Sequence, residues 1–237
     1  MSSNYQLSEQ EIQTIKFNAS FAKLMCNVYG WMTGGLTMTA LTALIVANSP
    51  ALLEAIFSSS FVLWAIIIAE FALVWILAAR IERLSFLTAG LMFAAYSILT
   101  GLTFSTIFLA YSIDVIVQTF CITAGVFGAM SIVGMTVKKD LSSLGRILLM
   151  ALIGLIIATV VNLFMHNTGL AMIINYVGVL IFVGLTAYDT QKIKQMVLTY
   201  HNDDEMGGKL AVWGSLMLYL DFINLFLYIL RIFGSRR

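Results

Sequence analysis

Apolar residues dominate seven stretches of this chain, at about 27–47, 61–79, 86–109, 115–137, 146–165, 171–191 and 210–233, and most charged residues fall in the links between them. Each stretch, coiled as a helix, is long enough to cross a hydrocarbon layer of about 30 Å. The pattern therefore predicts an all-α polytopic membrane protein with seven transmembrane helices. It divides the chain into an amino-terminal segment, 1–26, a membrane domain, 27–233, and a short tail, 234–237. Ser8 and Glu11 have the spacing of a capping box, and Ile12, Ile15, Ala19 and Ala22 recur at helical intervals, which predicts a short amphipathic lead-in helix. That segment carries Glu9, Glu11, Lys16 and Lys23 and no long apolar core, so no cleavable signal peptide is expected. Pro50, the one proline, falls in the first link, which argues against proline kinks inside the spans. Gly30 with Gly34, and Gly154 with Ala158, have the spacing of close helix contacts.

Composition agrees with the pattern. The chain is 60% hydrophobic and 11% charged, against about 45–50% and about 25% in soluble domains. A net charge of +1 with no basic run gives no nucleic-acid footprint, so the expected partners are lipid, ions and membrane proteins. Cys26 and Cys121 lie in or at the spans, and no disulfide is expected. Charge placement sets the orientation. Lys16, Lys23, Arg80, Arg83, Lys138, Lys139, Arg146, Lys192, Lys194 and Lys209 all lie on the side of the amino terminus, and the opposite links carry no Lys or Arg. By the positive-inside rule the amino terminus is cytoplasmic and, with an odd number of spans, the carboxyl terminus is periplasmic. Arg236 and Arg237 pull against this arrangement, but late charges weigh less than the ten before them; the alternative is a re-entrant final segment with a cytoplasmic tail.

The chemistry lies in acids within the spans. A charge at the centre of a bilayer costs roughly 3 kcal/mol by insertion scales, so Asp221, midway along the seventh span, is expected to face protein, with that helix central in the bundle. Asp221, Asn224, Tyr228 and Arg231 share one helical face. Asp189 lies near the cytoplasmic end of the sixth span, on a face with Thr186, Phe182, Gly178 and Asn175. Consecutive helices are usually neighbours, so a modest stagger brings the two acids together. Adjacent carboxylates in a low-dielectric site cannot both ionise cheaply and so share a proton. Such a pair bridges its helices when protonated; when ionised, it repels itself and attracts a cation. The alternative is two separate acids, each with its own partners. Glu70, midway along the second span, is the third costly carboxylate and is expected beside a polar helix face or in a cavity. Arg80 and Arg83, at the cytoplasmic end of that span, are either membrane anchors or ion-pair partners for Asp189. His166 and His201 lack companions at metal-ligand spacing, and Asp203, Asp204 and Glu205 lack the alternation of a calcium loop.

Three motifs carry a family resemblance. They are Gly184-Leu185-Thr186-Ala187-Tyr188-Asp189-Thr190-Gln191, Leu218-Tyr219-Leu220-Asp221-Phe222-Ile223-Asn224-Leu225-Phe226, and Lys139-Asp140-Leu141-Ser142. In this order they resemble the Bax-inhibitor (transmembrane Bax-inhibitor-motif) family, and the start Tyr29-Gly30-Trp31-Met32-Thr33-Gly34-Gly35 is similar to its bacterial inner-membrane branch. The resemblance implies a bacterial inner-membrane location, a central seventh helix and a pH-sensitive calcium leak governed by an aspartyl pair, with Asp189 and Asp221 at the matching positions. It also implies a pathway role for the helix-two acid, Glu70, and a gate role for Arg80 or Arg83. Some bacterial relatives are linked instead to a membrane-bound protease as modulators.

The function expected is thus a passive, pH-sensitive cation leak, with calcium as the ion. No cofactor is implied beyond transient Ca2+, held weakly by Asp189 and Asp221 with help from Asn224, Thr186 and water. The alternative is a noncatalytic regulator that binds another membrane protein, such as a membrane-bound protease. An intramembrane aspartyl protease is the least favoured reading, because Tyr219-Leu220 precede Asp221 where those enzymes have a glycine-flanked motif. The chain is not expected to be an enzyme. It has no nucleotide-binding motif for pumping, and its seventh span has no lysine for a retinal Schiff base.

Overall fold

A computed structural model describes residues 9–200 and 204–234, with side chains described for 19–196 and 206–234. The described elements are all α-helices: α1 (Glu9–Ala47), α2 (Pro50–Phe57), α3 (Ser60–Arg80), α4 (Phe86–Ala110), α5 (Ile113–Thr136), α6 (Ser142–Met165), α7 (Thr168–Tyr200) and α8 (Asp204–Phe233). All but the short α2 are long and apolar enough to cross a membrane, which makes seven spans among the described residues.

Two local readings change. The lead-in helix is not separate, because α1 runs unbroken from Glu9 into the first span. No glycine or proline occurs before Gly30 to interrupt the ladder. Ser8 lies outside the described residues, as do the side chains of Ile12 and Ile15. Pro50, read as part of a plain link, instead starts α2. The Ser49 hydroxyl accepts from the Leu52 amide at 3.5 Å, and proline suits the first helical position because its fixed φ is already helical.

The helices pack as pairs that share members. α1 lies on α4 and α8, α5 lies on α7 and α8, α6 lies on α7, α3 lies on α4, and α7 and α8 form an antiparallel pair. α8 therefore touches α1, α4, α5 and α7, and Val212, Leu216, Leu218, Tyr219, Leu225 and Leu230 along it are fully buried. The core is partly aromatic, with Phe93 and Tyr96 of α4 set edge-on to Tyr219 at centroid distances of 5.6 and 5.7 Å. Lipid association gains little from apolar contact alone, so close approach depends on small residues and polar bonds. At Gly134 a side chain would collide with the Ala187 carbonyl and Thr190, which explains how tightly α5 lies on α7. The glycine spacings read earlier as contacts are not used in this way. A Cβ at Gly30, Gly34 or Gly154 would meet nothing within 4 Å, because these positions sit on open helix faces.

One side chain holds the α5–α6 link. Gln191 of α7 accepts the Leu141 amide at 2.8 Å and donates to the carbonyls of Lys139 and Val137 at 3.0 and 3.4 Å. Lys194, one turn on, donates to the Met135 carbonyl at 2.9 Å.

Candidate functional site: a carboxyl pair between α7 and α8

The register of α7 against α8 follows from contacts at each end of their interface. Tyr228 stacks on Phe182 at 5.8 Å, over Gly178, where a Cβ would strike its ring. Toward the other end, Gly214 lets Ile193 and Val28 come close. Between these contacts Asp189 faces Asp221, and the two carboxyl groups lie close enough to interact. Asp221 is 4% exposed, and its Oδ2 makes no hydrogen bond to the protein. Asp189 keeps partial exposure, and Lys192, close by on the same helix, acts on it electrostatically.

The neighbouring polar groups on α7 are largely satisfied within the helix. Buried Thr186 donates to the Phe182 carbonyl at 2.8 Å, and Thr190 donates to that of Thr186 at 2.7 Å. Each hydroxyl oxygen retains lone pairs. Asn224 donates its amide to the Leu220 carbonyl at 2.8 Å, one turn back on its own helix.

The other expected site residues lie apart from the pair. Glu70 on α3 accepts from Thr103 of α4 at 3.3 Å, so it does sit against a polar position of a neighbouring helix. Arg80 closes the last turn of α3, and both Arg80 and Arg83 are exposed. Neither forms an ion pair with Asp189 or Asp221, and α3 packs mainly on α4 rather than beside the aspartates. His166 ends α6 in a left-handed conformation, φ 51°. His201 and Asp203 lie outside the described residues, and the side chains of Asp204 and Glu205 are likewise not described. No group of three or more His, Cys, Asp or Glu among the described residues is arranged to hold a metal ion.

A polar junction on the other side of α8 was not foreseen. The Thr39 hydroxyl lies 2.6 Å from that of Tyr219, 2.8 Å from the Ser97 carbonyl oxygen and 3.0 Å from that of Gly35. It ties α1, α4 and α8 together at one point. The signal available was a threonine inside an apolar run and a tyrosine two residues before Asp221, with nothing to link them.

Residues 22–237 match the family model described as Inhibitor of apoptosis-promoting Bax1. The chain belongs to the Bax inhibitor family. It is 49% identical over 220 residues to the inner membrane protein YbhL of Escherichia coli K12, covering 92% of this chain and 94% of the relative. A protein of Borreliella burgdorferi is 44% identical over 215 residues, covering 91% and 93% of the two chains. One from Deinococcus radiodurans is 42% identical over 212 residues, covering 90% of each. Membership in the Bax inhibitor family agrees with a multi-pass bacterial membrane protein in a non-catalytic role.

Proposed function

We propose that this Bax inhibitor family member is a pH-sensitive passive leak for cations, with calcium as the physiological ion, gated by Asp189 and Asp221. The observation that carries this reading is the juxtaposition of their carboxyl groups across two neighbouring spans, with Asp221 buried. While a proton is shared, the pair latches α7 to α8. Ionised, its like charges repel, and the oxygens become a weak, rapidly exchanging site for a divalent cation. α8 acts as the central helix of the pathway, with the amino terminus cytoplasmic and the carboxyl terminus periplasmic across the inner membrane. Asn224 and Thr186 add oxygens beside the acids, Glu70 lines an approach on the α3–α4 side, and Arg80 or Arg83 contributes to the gate when helices shift. This last role requires movement, since both arginines are exposed and apart from the pair.

Calcium flux into liposomes containing the purified protein, measured over a pH series, tests the proposal. Wild type is expected to leak calcium above empty vesicles, at a rate that changes with pH. Asp189→Asn and Asp221→Asn are each expected to shift or abolish that pH dependence, because with one carboxyl replaced by an amide the pair no longer shares a proton between two acids. Folded, inserted protein with no flux above empty vesicles would overturn the leak and leave the noncatalytic regulator of another membrane protein.

A further inference from the structure

A groove of about 630 Å³ opens between α1 and α5, and Phe222 of α8, next to Asp221, lines it from within. Its volume falls within the roughly 300–1,000 Å³ typical of small-molecule sites. On α5 the lining runs from Phe120 to Met135, about 22 Å of helix at the usual rise. The groove is thus a narrow trough along the spans rather than a round chamber. Its walls are mainly aliphatic and aromatic, and no charged side chain lines it.

Four hydroxyl-bearing side chains break this apolar surface, Tyr29, Thr33, Thr37 and Ser131; Thr33 and Thr37 are not buried, and Thr37 donates to the Thr33 carbonyl at 2.8 Å. Ser131 is 2% exposed, and its Oγ has no hydrogen-bond partner in the protein. The hydroxyl of Tyr29, facing it from α1, is also buried and without a well-formed hydrogen bond, although the two groups are near enough to interact. Buried polar groups left unpaired are destabilising, by about 1–3 kcal/mol each. In a bilayer they have no water to fall back on. Both lie toward the end of the groove near the amino-terminal side of the spans, while Leu41 and Phe120 form its opposite end. Hydroxyls run from the Tyr29 end along α1 as far as Thr37, and the remainder, with Ala40, Leu41, Phe120 and Ala124, is hydrocarbon.

We propose that this groove binds a long-chain fatty acid, with its un-ionised carboxyl group between Tyr29 and Ser131 and its alkyl chain lying along α5 toward Phe120. The carboxyl group has one acceptor and one donor, which match two hydroxyls that can each act as either. A phosphate headgroup does not suit the site, because nothing charged is present to offset a buried anion. A neutral acid end is small enough to sit inside the trough. This site is separate from the carboxyl pair, so the leak and the fatty-acid site stand or fall independently.

The test uses the full chain in phospholipid nanodiscs with a diazirine-bearing palmitic acid as probe, and maps adducts by mass spectrometry after photolysis. Adducts are expected on α1 and α5 along the groove, competed by unlabelled palmitic acid but not by hexadecane. Gly128→Leu is expected to abolish labelling, since a side chain there enters open space without a clash. Tyr29→Phe with Ser131→Ala is expected to weaken competition by palmitic acid about tenfold, the scale of two hydrogen bonds at the modest end of their net range. Without fatty acid, Ser131→Ala is expected to be as thermostable as wild type or more so, because it removes an unpaired buried hydroxyl. Equal competition by hexadecane, equal labelling of the double variant, or preferential labelling by a diazirine-bearing phospholipid would each overturn the proposal. If Gly128→Leu does not fold, the double variant and the competitors still decide it.

Discussion

α6 and α8 are both long apolar helices, and α6 is the more hydrophobic of the two, yet their surroundings are opposite. Gly145 and Leu155 are the only buried residues of α6, whose Ile147, Met150, Ile153, Ile157 and Phe164 all face outward. α8 carries Asp221, Ser215, Tyr219 and Asn224 and is buried along most of its length. In water this order would be reversed, with the greasier helix inside. Hydrocarbon solvates leucine as well as another helix does, so apolar surface has little reason to leave it. Polar atoms do have a reason, and here the less apolar helix is the one enclosed by its neighbours.

That contrast can be broken at glycines on the two kinds of surface. Gly134→Leu, at the contact of α5 with α7, is expected to cost about 3 kcal/mol, the upper end of ordinary overpacking, because the obstruction is backbone. Gly154→Leu, on the open face of α6, is expected to stay within about 0.5 kcal/mol of wild type. Denaturation in matched detergent micelles measures both, and equal losses would show that α6 has a partner on that face. A smaller effect separates polar from apolar gain inside the bundle. Tyr219→Phe keeps the ring contacts with Phe93 and Tyr96 but deletes the bond to Thr39, and is expected to cost about 1 kcal/mol.

The smallest effect lies outside the membrane, where water returns. Asp140 accepts from the Ser142 amide at 2.9 Å and from its hydroxyl at 2.7 Å, and these bonds hold its carboxyl below the ordinary carboxylate range. A lowered folded-state value contributes stability that is present above the unfolded value and is lost as the pH falls through the folded one. Protection factors of the amides at the start of α6, with the intrinsic pH dependence of exchange divided out, are therefore expected to fall on acidification in wild type, and to respond less to acid in Asp140→Asn.

The seven spans were legible because a bilayer demands length and apolarity, and both are properties of local sequence. Asp189 and Asp221 stood out as candidates for a related reason: each acid is costly alone, and their helices are consecutive. α2 escaped notice although Ser49-Pro50 is a sound start signal, because eight residues are too few to stand out beside a span. Gly30 and Gly34 misled because a small-residue spacing shows where a helix can be approached, not whether a neighbour arrives. The Thr39–Tyr219 junction joins positions 180 residues apart, and Arg80 and Arg83 depend on where α3 comes to rest. Such placements belong to the assembled bundle rather than to any segment.

Gln191 has a mechanical consequence. It sits two residues beyond Asp189 on a continuous helix and grips the backbone of the link from α5 to α6 at three points. A rotation of α7 that carried Asp189 away from Asp221 would swing Gln191 through nearly the same angle. The 137–141 link would then have to travel with it or lose its grip. Any such turn would therefore have to carry or break the strap between two other helices, so resistance to parting the two acids would lie in part outside the pair itself.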